Sequence, residues 1–272
     1  MNSEGIFFVC TFVFNQSFLM IIVVSPAKTL AEGPEVNQGL ELPKYRKQSA
    51  QLIDILKGYK TTDIKDLMKI SDKLAELNYG RYQNFGSRYT AQNSKAAIFM
   101  FKGDVYQGFG ADTLDAKALT YAQKHLRILS GLYGLLRPMD KMQPYRLEMG
   151  TRLDNPKGPN LYEFWRDTIT GDINASLTEM KSDLLINLAS NEYFDAVDKK
   201  QLKAKILDIT FKEYRDGKLK FVSFSAKKAR GFMARYMAKN NVSKMEDIKG
   251  FDYENYAYDE SISSEYNYGF TR

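Results

Sequence analysis

Two short stretches of this sequence place ionisable side chains just past apolar runs, where a folded chain gathers them, and a third sets two of them on one face by alternation. Lys28 follows Ile21 to Val24, four consecutive β-branched residues closed by Ser25-Pro26. Lys102 and Asp104 follow the apolar run from Ala96 to Phe101. Arg146 and Glu148 stand two apart in Tyr145-Arg146-Leu147-Glu148, so an extended backbone puts both on one face. The three cations could bind an anion, and Asp104 or Glu148 could handle protons. That set, with Tyr145, describes the cleft of an enzyme acting on a small anionic or nucleotide-like substrate. It specifies no reaction. The plainer readings are a surface lysine at 28 and a structural Arg146–Glu148 ion pair.

A second group of cations shares one predicted helix, Ala226 to Lys239. Lys227, Lys228, Arg230, Arg235 and Lys239 occur in it without an acid. At about 100° per residue, Lys228, Arg235 and Lys239 fall within about 40° of one another. Ala229, Phe232, Met233, Tyr236 and Met237 take the other side. Such a helix buries one face and holds a positive stripe outward, suited to nucleic-acid phosphates. The plainer reading is a solvated helix face.

The third candidate is Leu129-Ser130-Gly131-Leu132-Tyr133-Gly134, set between Arg127 and Arg137. After a helix and before another apolar run, it resembles a helix-hairpin-helix turn, in which two glycines let backbone N–H groups approach a phosphate. The usual turn has its glycines two apart, and Gly131 and Gly134 are three apart. A glycine turn packed near the core is the competing reading.

Composition narrows these chemistries. The 272 residues include 39 Lys and Arg against 33 Asp and Glu, a formal charge of +6 that favours a polyanionic partner without naming it. One cysteine, Cys10, and one histidine, His125, exclude a disulfide framework and leave a Cys/His zinc site or a Ser–His pair without support. There is no phosphate-binding lysine loop, no dinucleotide glycine fingerprint after a strand and no carboxylate cluster of metal spacing. No cofactor is expected. The cysteine usage fits a reducing cytoplasm. Ile6 to Phe14 is apolar but shorter than the roughly 20 residues a membrane span needs. Met20 opens the first core strand directly, so residues 1–19 are read as an upstream extension and 20–272 as one domain.

These groups need elements to position them. Helices are expected over Lys44–Tyr59, Asp63–Asn78 with a break at Ser71-Asp72, Leu114–Arg127, Asn160–Met180 and Ala226–Lys239. Gly80 is a plausible helix stop. Strands are expected at Ile21–Val24, Ala96–Phe101 and Asp183–Leu188, a hairpin about Asp216-Gly217, and an edge hairpin in the tail Tyr253–Arg272. Ala31–Pro43 reads as a loop. The economical fold is α/β: a single domain with a mixed sheet surrounded by helices.

Six blocks, taken in order, resemble the YaaA peroxide-stress-resistance family. They are Ser25-Pro26-Ala27-Lys28-Thr29, Phe101-Lys102-Gly103-Asp104-Val105-Tyr106, Leu129 to Gly134, Gln143 to Gly150, Asn187-Leu188-Ala189-Ser190 and Lys227-Lys228-Ala229-Arg230-Gly231. The resemblance implies a cytoplasmic bacterial protein that counters hydrogen peroxide by limiting free iron. It also implies a positively charged cleft and a helix-hairpin-helix element that bind DNA. It brings no catalytic residues. The expectation is a DNA-binding stress protein gripping phosphates, with little sequence preference, through Lys28, Arg127, Gly131, Gly134, Arg137, Arg146, Lys227, Lys228, Arg230 and Arg235. The enzyme of the opening paragraph is the alternative.

Overall fold

The order of elements follows from where apolar runs find partners. The computed structural model describes residues 19–31 and 41–272. The proposed extension apart from Leu19, with Ile6–Phe14 and Cys10, and most of the Ala31–Pro43 loop lie outside the described residues. The chain runs β1 (Ile21–Val24), β2 (Thr29–Leu30), then α1 (Arg46–Lys57), α2 (Thr61–Met68) and α3 (Asp72–Gln83). α1 buries Leu52, Ile53 and Leu56 at the expected helical spacing. The break between α2 and α3 falls where expected: Lys69 turns left-handed at φ 50°, and the Ser71 hydroxyl accepts the Leu74 N–H to cap α3. Gly80 does not stop α3. Nothing lies within 4 Å of the β-carbon it lacks, and the helix continues to Gln83.

Next come β3 (Lys95–Ala96), α4 (Ala97–Met100), β4 (Phe101–Lys102), α5 (Asp104–Phe109) and α6 (Ala116–His125). The strand expected over Ala96–Phe101 is therefore one helical turn between two strand fragments. The fragments explain it: Lys95-Ala96 pairs with Met142-Lys141, whereas Phe101-Lys102 pairs with Leu30-Thr29. The two pairings belong to different two-stranded sheets, and the backbone coils for one turn between them.

The remaining elements are β5 (Leu126–Ser130), β6 (Gly134–Leu136), β7 (Lys141–Met142), α7 (Leu161–Glu179), β8 (Leu184–Leu188), α8 (Asn191–Phe194), β9 (Lys205–Arg215), β10 (Lys218–Lys220), α9 (Ser223–Lys239), α10 (Met245–Ile248), β11 (Ala257–Tyr258) and β12 (Asn267–Thr271). The principal sheet has eight strands in the order β11-β12-β9-β8-β1-β5-β6, with β10 paired to β9. β1 pairs in parallel with β5 and β8, β8 with β9, and β9 with β12. Strands β6, β10 and β11 run antiparallel to their neighbours. The expected hairpin at Asp216-Gly217 and the edge pairing in the tail are both present. β1 is central, and its four side chains are at most 1% exposed, as a parallel strand covered on both faces requires. α7 packs on β1 and β6, α6 on β5, and α9 on β9, α6 and above all α5.

Gly131 and Gly134 lie in a β-hairpin, which corrects the helix-hairpin-helix expectation. β5 and β6 pair antiparallel through Ile128 with Leu136 and Ser130 with Gly134. The leucine-rich flanks extend the sheet from β1 instead of coiling. Every residue from Ser130 to Leu136 is buried. The glycines serve internal packing: a β-carbon on Gly134, at φ +68°, would meet the Trp165 ring at 2.6 Å, and one on Gly131 would overlap the Leu147 carbonyl. Gly131 in turn accepts the Trp165 indole N–H at 2.8 Å.

Candidate functional site

β1 has one parallel neighbour on each side, and the chain visits β5 on one side before crossing to β8 on the other. Such a switch opens a crevice beyond the carboxyl ends of the strands. Three serines mark it. Ser25 follows β1, Ser130 ends β5 and Ser190 lies two residues past β8. The Ser190 N–H donates to Ser25 Oγ at 2.9 Å, and the two hydroxyls are 3.2 Å apart. Tyr106, on α5, donates to the Ser25 carbonyl at 3.1 Å. Tyr145 and Ser130 share a hydrogen bond of 2.6 Å. Burial drives the phenols of Tyr106, Tyr145 and Tyr193 upward, and Tyr106 and Tyr193 rise further because each is close to Tyr145. All three are neutral at physiological pH and can donate.

Charged groups meet at the same edge. Lys28 Nζ is 2.5 Å from Glu148 Oε2, and Arg146 Nη2 is 3.0 Å from Glu148 Oε1. One carboxylate thus stands between two cations. The Arg146 backbone is fixed by Tyr82 of α3, whose phenol donates to its carbonyl. Arg146 Nε is buried with no hydrogen-bond partner. Lys102 is exposed and lies opposite Thr29 in the β2–β4 pair, while Asp104 is in the first turn of α5. The β-carbon that Gly103 lacks would sit 3.0 Å from Ala27. The fold thus brings the backbone of Lys102–Asp104 beside that of Ala27–Thr29, and brings Lys28, Arg146 and Glu148 into contact.

Glu148 also lines a cleft of about 640 Å³ with Asp66, Lys69, Gly150, Thr151, Arg152 and Glu192. Its charged lining has three carboxylates and two cations. The uniformly basic cleft expected of the sequence is not found at this position.

The cations expected to hold DNA differ in exposure and local partners. On α9, Lys227 and Lys239 are exposed, and the Lys228 ammonium lies 5.3 Å over the Phe232 ring. Arg230 is half-buried, burial lowers its pKa, and its Nε has no partner. Arg235 donates to the carbonyls of Phe109 and Gly110 at 2.8 and 2.9 Å, closing the end of α5. Arg127 is buried and donates to the carbonyls of Lys124 and Leu126 at 3.0 and 2.9 Å where α6 ends. Arg137 pairs with Glu41 and with Asp140. Lys28 and Arg146 both contact Glu148.

The sequence marks Ser25, Tyr106 and Ser190 only as members of the six blocks, with no role and no link between the serines, and does not single out Tyr193 or Glu192. The serines are 165 positions apart, and only the parallel pairing of β1 with β8 joins them. The available signal was that Ser25 follows a continuous apolar strand and Ser190 one broken only by Asn187. His125 lies at the opposite end of β1, its Nδ1 2.8 Å from the Met20 carbonyl and its ring stacked on Tyr121. Among the described residues no group of three or more His, Cys, Asp or Glu is placed to hold a metal ion. No helix among them is long and apolar enough to cross a membrane.

Comparison with known proteins follows the whole domain. Residues 20–262 match the family described as "Peroxide stress protein YaaA". A protein of Hahella chejuensis named "UPF0246 protein" is 50% identical over 254 residues, covering 93% of this chain and 99% of its own. A UPF0246 protein of Shewanella woodyi is 51% identical over 246 residues, covering 90% and 96%. The chain belongs to the peroxide stress protein YaaA family, and that family supports a role in oxidative stress.

Proposed function

We propose that this family member acts in the cytoplasm during hydrogen peroxide stress, limits the free iron that converts peroxide into radicals, and binds DNA through its phosphates with little sequence preference. α9 is the gripping element. The observation that carries this reading is the coherence of its charge: five cations and no acid along Ser223–Lys239. Lys227 and Lys239 extend into solvent. Next to α9 along the chain, the β9–β10 hairpin and the first turn of the helix expose Tyr214, Phe221 and Phe224, each more than half exposed. Aromatic faces interleaved with lysines suit sugars and unstacked bases beside a phosphate track. Phosphate contacts fix position without reading sequence. The iron effect is assigned no site among the described residues.

Fluorescence-anisotropy titration across a salt series, with labelled duplex, single-stranded and bubble DNA, tests the reading. Affinity should fall steeply with salt, by a slope of about 0.9 for each phosphate neutralised on duplex. The double variant Lys227→Glu, Lys239→Glu should bind every form more weakly and with a shallower slope. Absence of binding at low salt, or a variant equal to the parent, refutes the assignment to α9.

A further inference from the structure

We infer that the crevice at the carboxyl ends of β1, β5 and β8 binds a small molecule through a single oxyanion group, a carboxylate or a phosphate ester, at Lys28 and Arg146. Glu148 faces two cations, Lys28 at 2.5 Å and Arg146 at 3.0 Å, which leaves one positive charge over, and the Lys28 side chain is 60% exposed and open to an incoming group. Arg146 is 15% exposed at its side chain, and an oxyanion reaching that exposed part beside Lys28 gains a charge-assisted hydrogen bond.

The surroundings limit what fits. Asp66 and Glu192 line the cleft next to Glu148 together with Lys69 and Arg152, so the neighbouring surface is of mixed charge and does not extend the excess positive charge into a phosphate track. Glu192 is held in place, accepting the Gly150 N–H at 3.2 Å. The ammonium of Lys28 is the mobile part. Its side chain is 60% exposed, and it can swing from Glu148 to the incoming anion without disturbing the core. The switch-point position is where open α/β sheets bind ligands.

The test is thermal unfolding of the full chain in sodium phosphate or sodium acetate, against sodium chloride at equal ionic strength. A saturable rise in Tm with phosphate identifies a phosphate-ester site, and one with acetate identifies a carboxylate site. Either supports the inference, since exclusion of salts from the surface stabilises without saturating. Lys28→Met, at a mostly exposed position, should weaken the apparent affinity about tenfold; Arg146→Gln should abolish the rise, and Arg146→Lys should restore part of it. A response no larger than that to chloride, or one unchanged in Lys28→Met, overturns it. The DNA reading fails separately: Lys28→Met should keep duplex binding, and Lys227→Glu with Lys239→Glu should keep the oxyanion response.

Discussion

Gly108 of α5 and Gly231 of α9 face each other across the helix contact so closely that neither position has room for a β-carbon. One on Gly108 would overlap the Lys228 carbonyl, and one on Gly231 would overlap that of Val105. The atoms in the way are backbone, which cannot rotate aside. This contact seats the cationic helix. Gly231→Ala should force the helices apart and cost about 1–3 kcal/mol, the usual penalty of overpacking. Gly171 of α7 is the control, with nothing within 4 Å of its missing β-carbon. Gly171→Ala should stabilise by about 1 kcal/mol through helix propensity alone. Urea unfolding measures both, and equal effects at the two positions would remove the close-approach argument.

Arg235 belongs to the same contact. Its guanidinium closes α5 by donating to the Phe109 and Gly110 carbonyls, acceptors that no residue of α5 can satisfy at its own end. Arg235→Met should lower stability by about 1.5–3 kcal/mol, the range for hydrogen bonds made by a charged donor. Lys227→Met, at an exposed position on the same helix, should change it by less than about 0.5 kcal/mol. Denaturant titration that finds the two variants alike would show that the cap contributes nothing.

The central strands were legible because their residues announce themselves. Ile21–Val24 is a continuous apolar run and Leu184–Leu188 is one broken only by Asn187, the pattern of parallel strands buried on both faces. Ala96–Phe101 is as apolar, yet it coils, because its two ends pair with different partners, and partner identity is not a local property. Gly131 and Gly134 carried the right residue type for a phosphate-binding turn and serve Trp165 and Leu147 instead. At the site, the Arg146–Glu148 ion pair followed from their spacing of two. The Lys28 contact did not, since 120 residues separate it from Glu148 along the chain. Charge on α9 was visible in the sequence, but the capping use of Arg235 depends on α5 lying beside it.

Asp140 gives the protein a stability that falls as pH rises. Burial pushes its carboxyl up to about 6, against hydrogen bonding and charge from Arg137. Arg137 Nη2 is 3.3 Å from Oδ1, but that oxygen makes no hydrogen bond, so desolvation prevails. The unfolded carboxyl ionises near 4. The folded state therefore holds the proton more tightly, and the stabilisation is complete below about pH 4 and lost as pH rises through about 6. Asp140→Asn keeps an acceptor for the Arg137 N–H, which now donates to Oδ2 at 2.8 Å. The variant should gain about 2 kcal/mol on the parent between pH 4.5 and 7, following about 1.4 kcal/mol per pKa unit. Urea unfolding at the two pH values measures the difference; a gap that does not change with pH would contradict the buried-carboxyl account.

Glu213 has the opposite sign and holds the end of the chain. It is 6% exposed at its side chain. Burial disfavours its charge, but hydrogen bonds from Ser225, Arg215 and Arg272 prevail and hold the carboxyl down to about 2. Arg272 reaches Oε1 at 2.8 Å and Arg215 reaches Oε2 at 2.8 Å, while the Tyr256 phenol donates to Oε1 at 3.1 Å. β9 is thereby tied to the residue that follows β12. Because the folded carboxyl is the stronger acid, the stabilisation is full above the unfolded value near 4.3 and lost as pH falls through about 2. Glu213→Gln leaves Arg215 and Arg272 facing an uncharged amide. It should cost about 3 kcal/mol at pH 7, the scale for breaking a buried pair, and much less at pH 2.5. Hydrogen exchange should show β12 opening first in the variant, since its parallel ladder to β9 then ends without an ionic anchor. A cost independent of pH would mean that Glu213 acts through packing, and uniform exchange across β9 and β12 would mean that the chain end is held elsewhere.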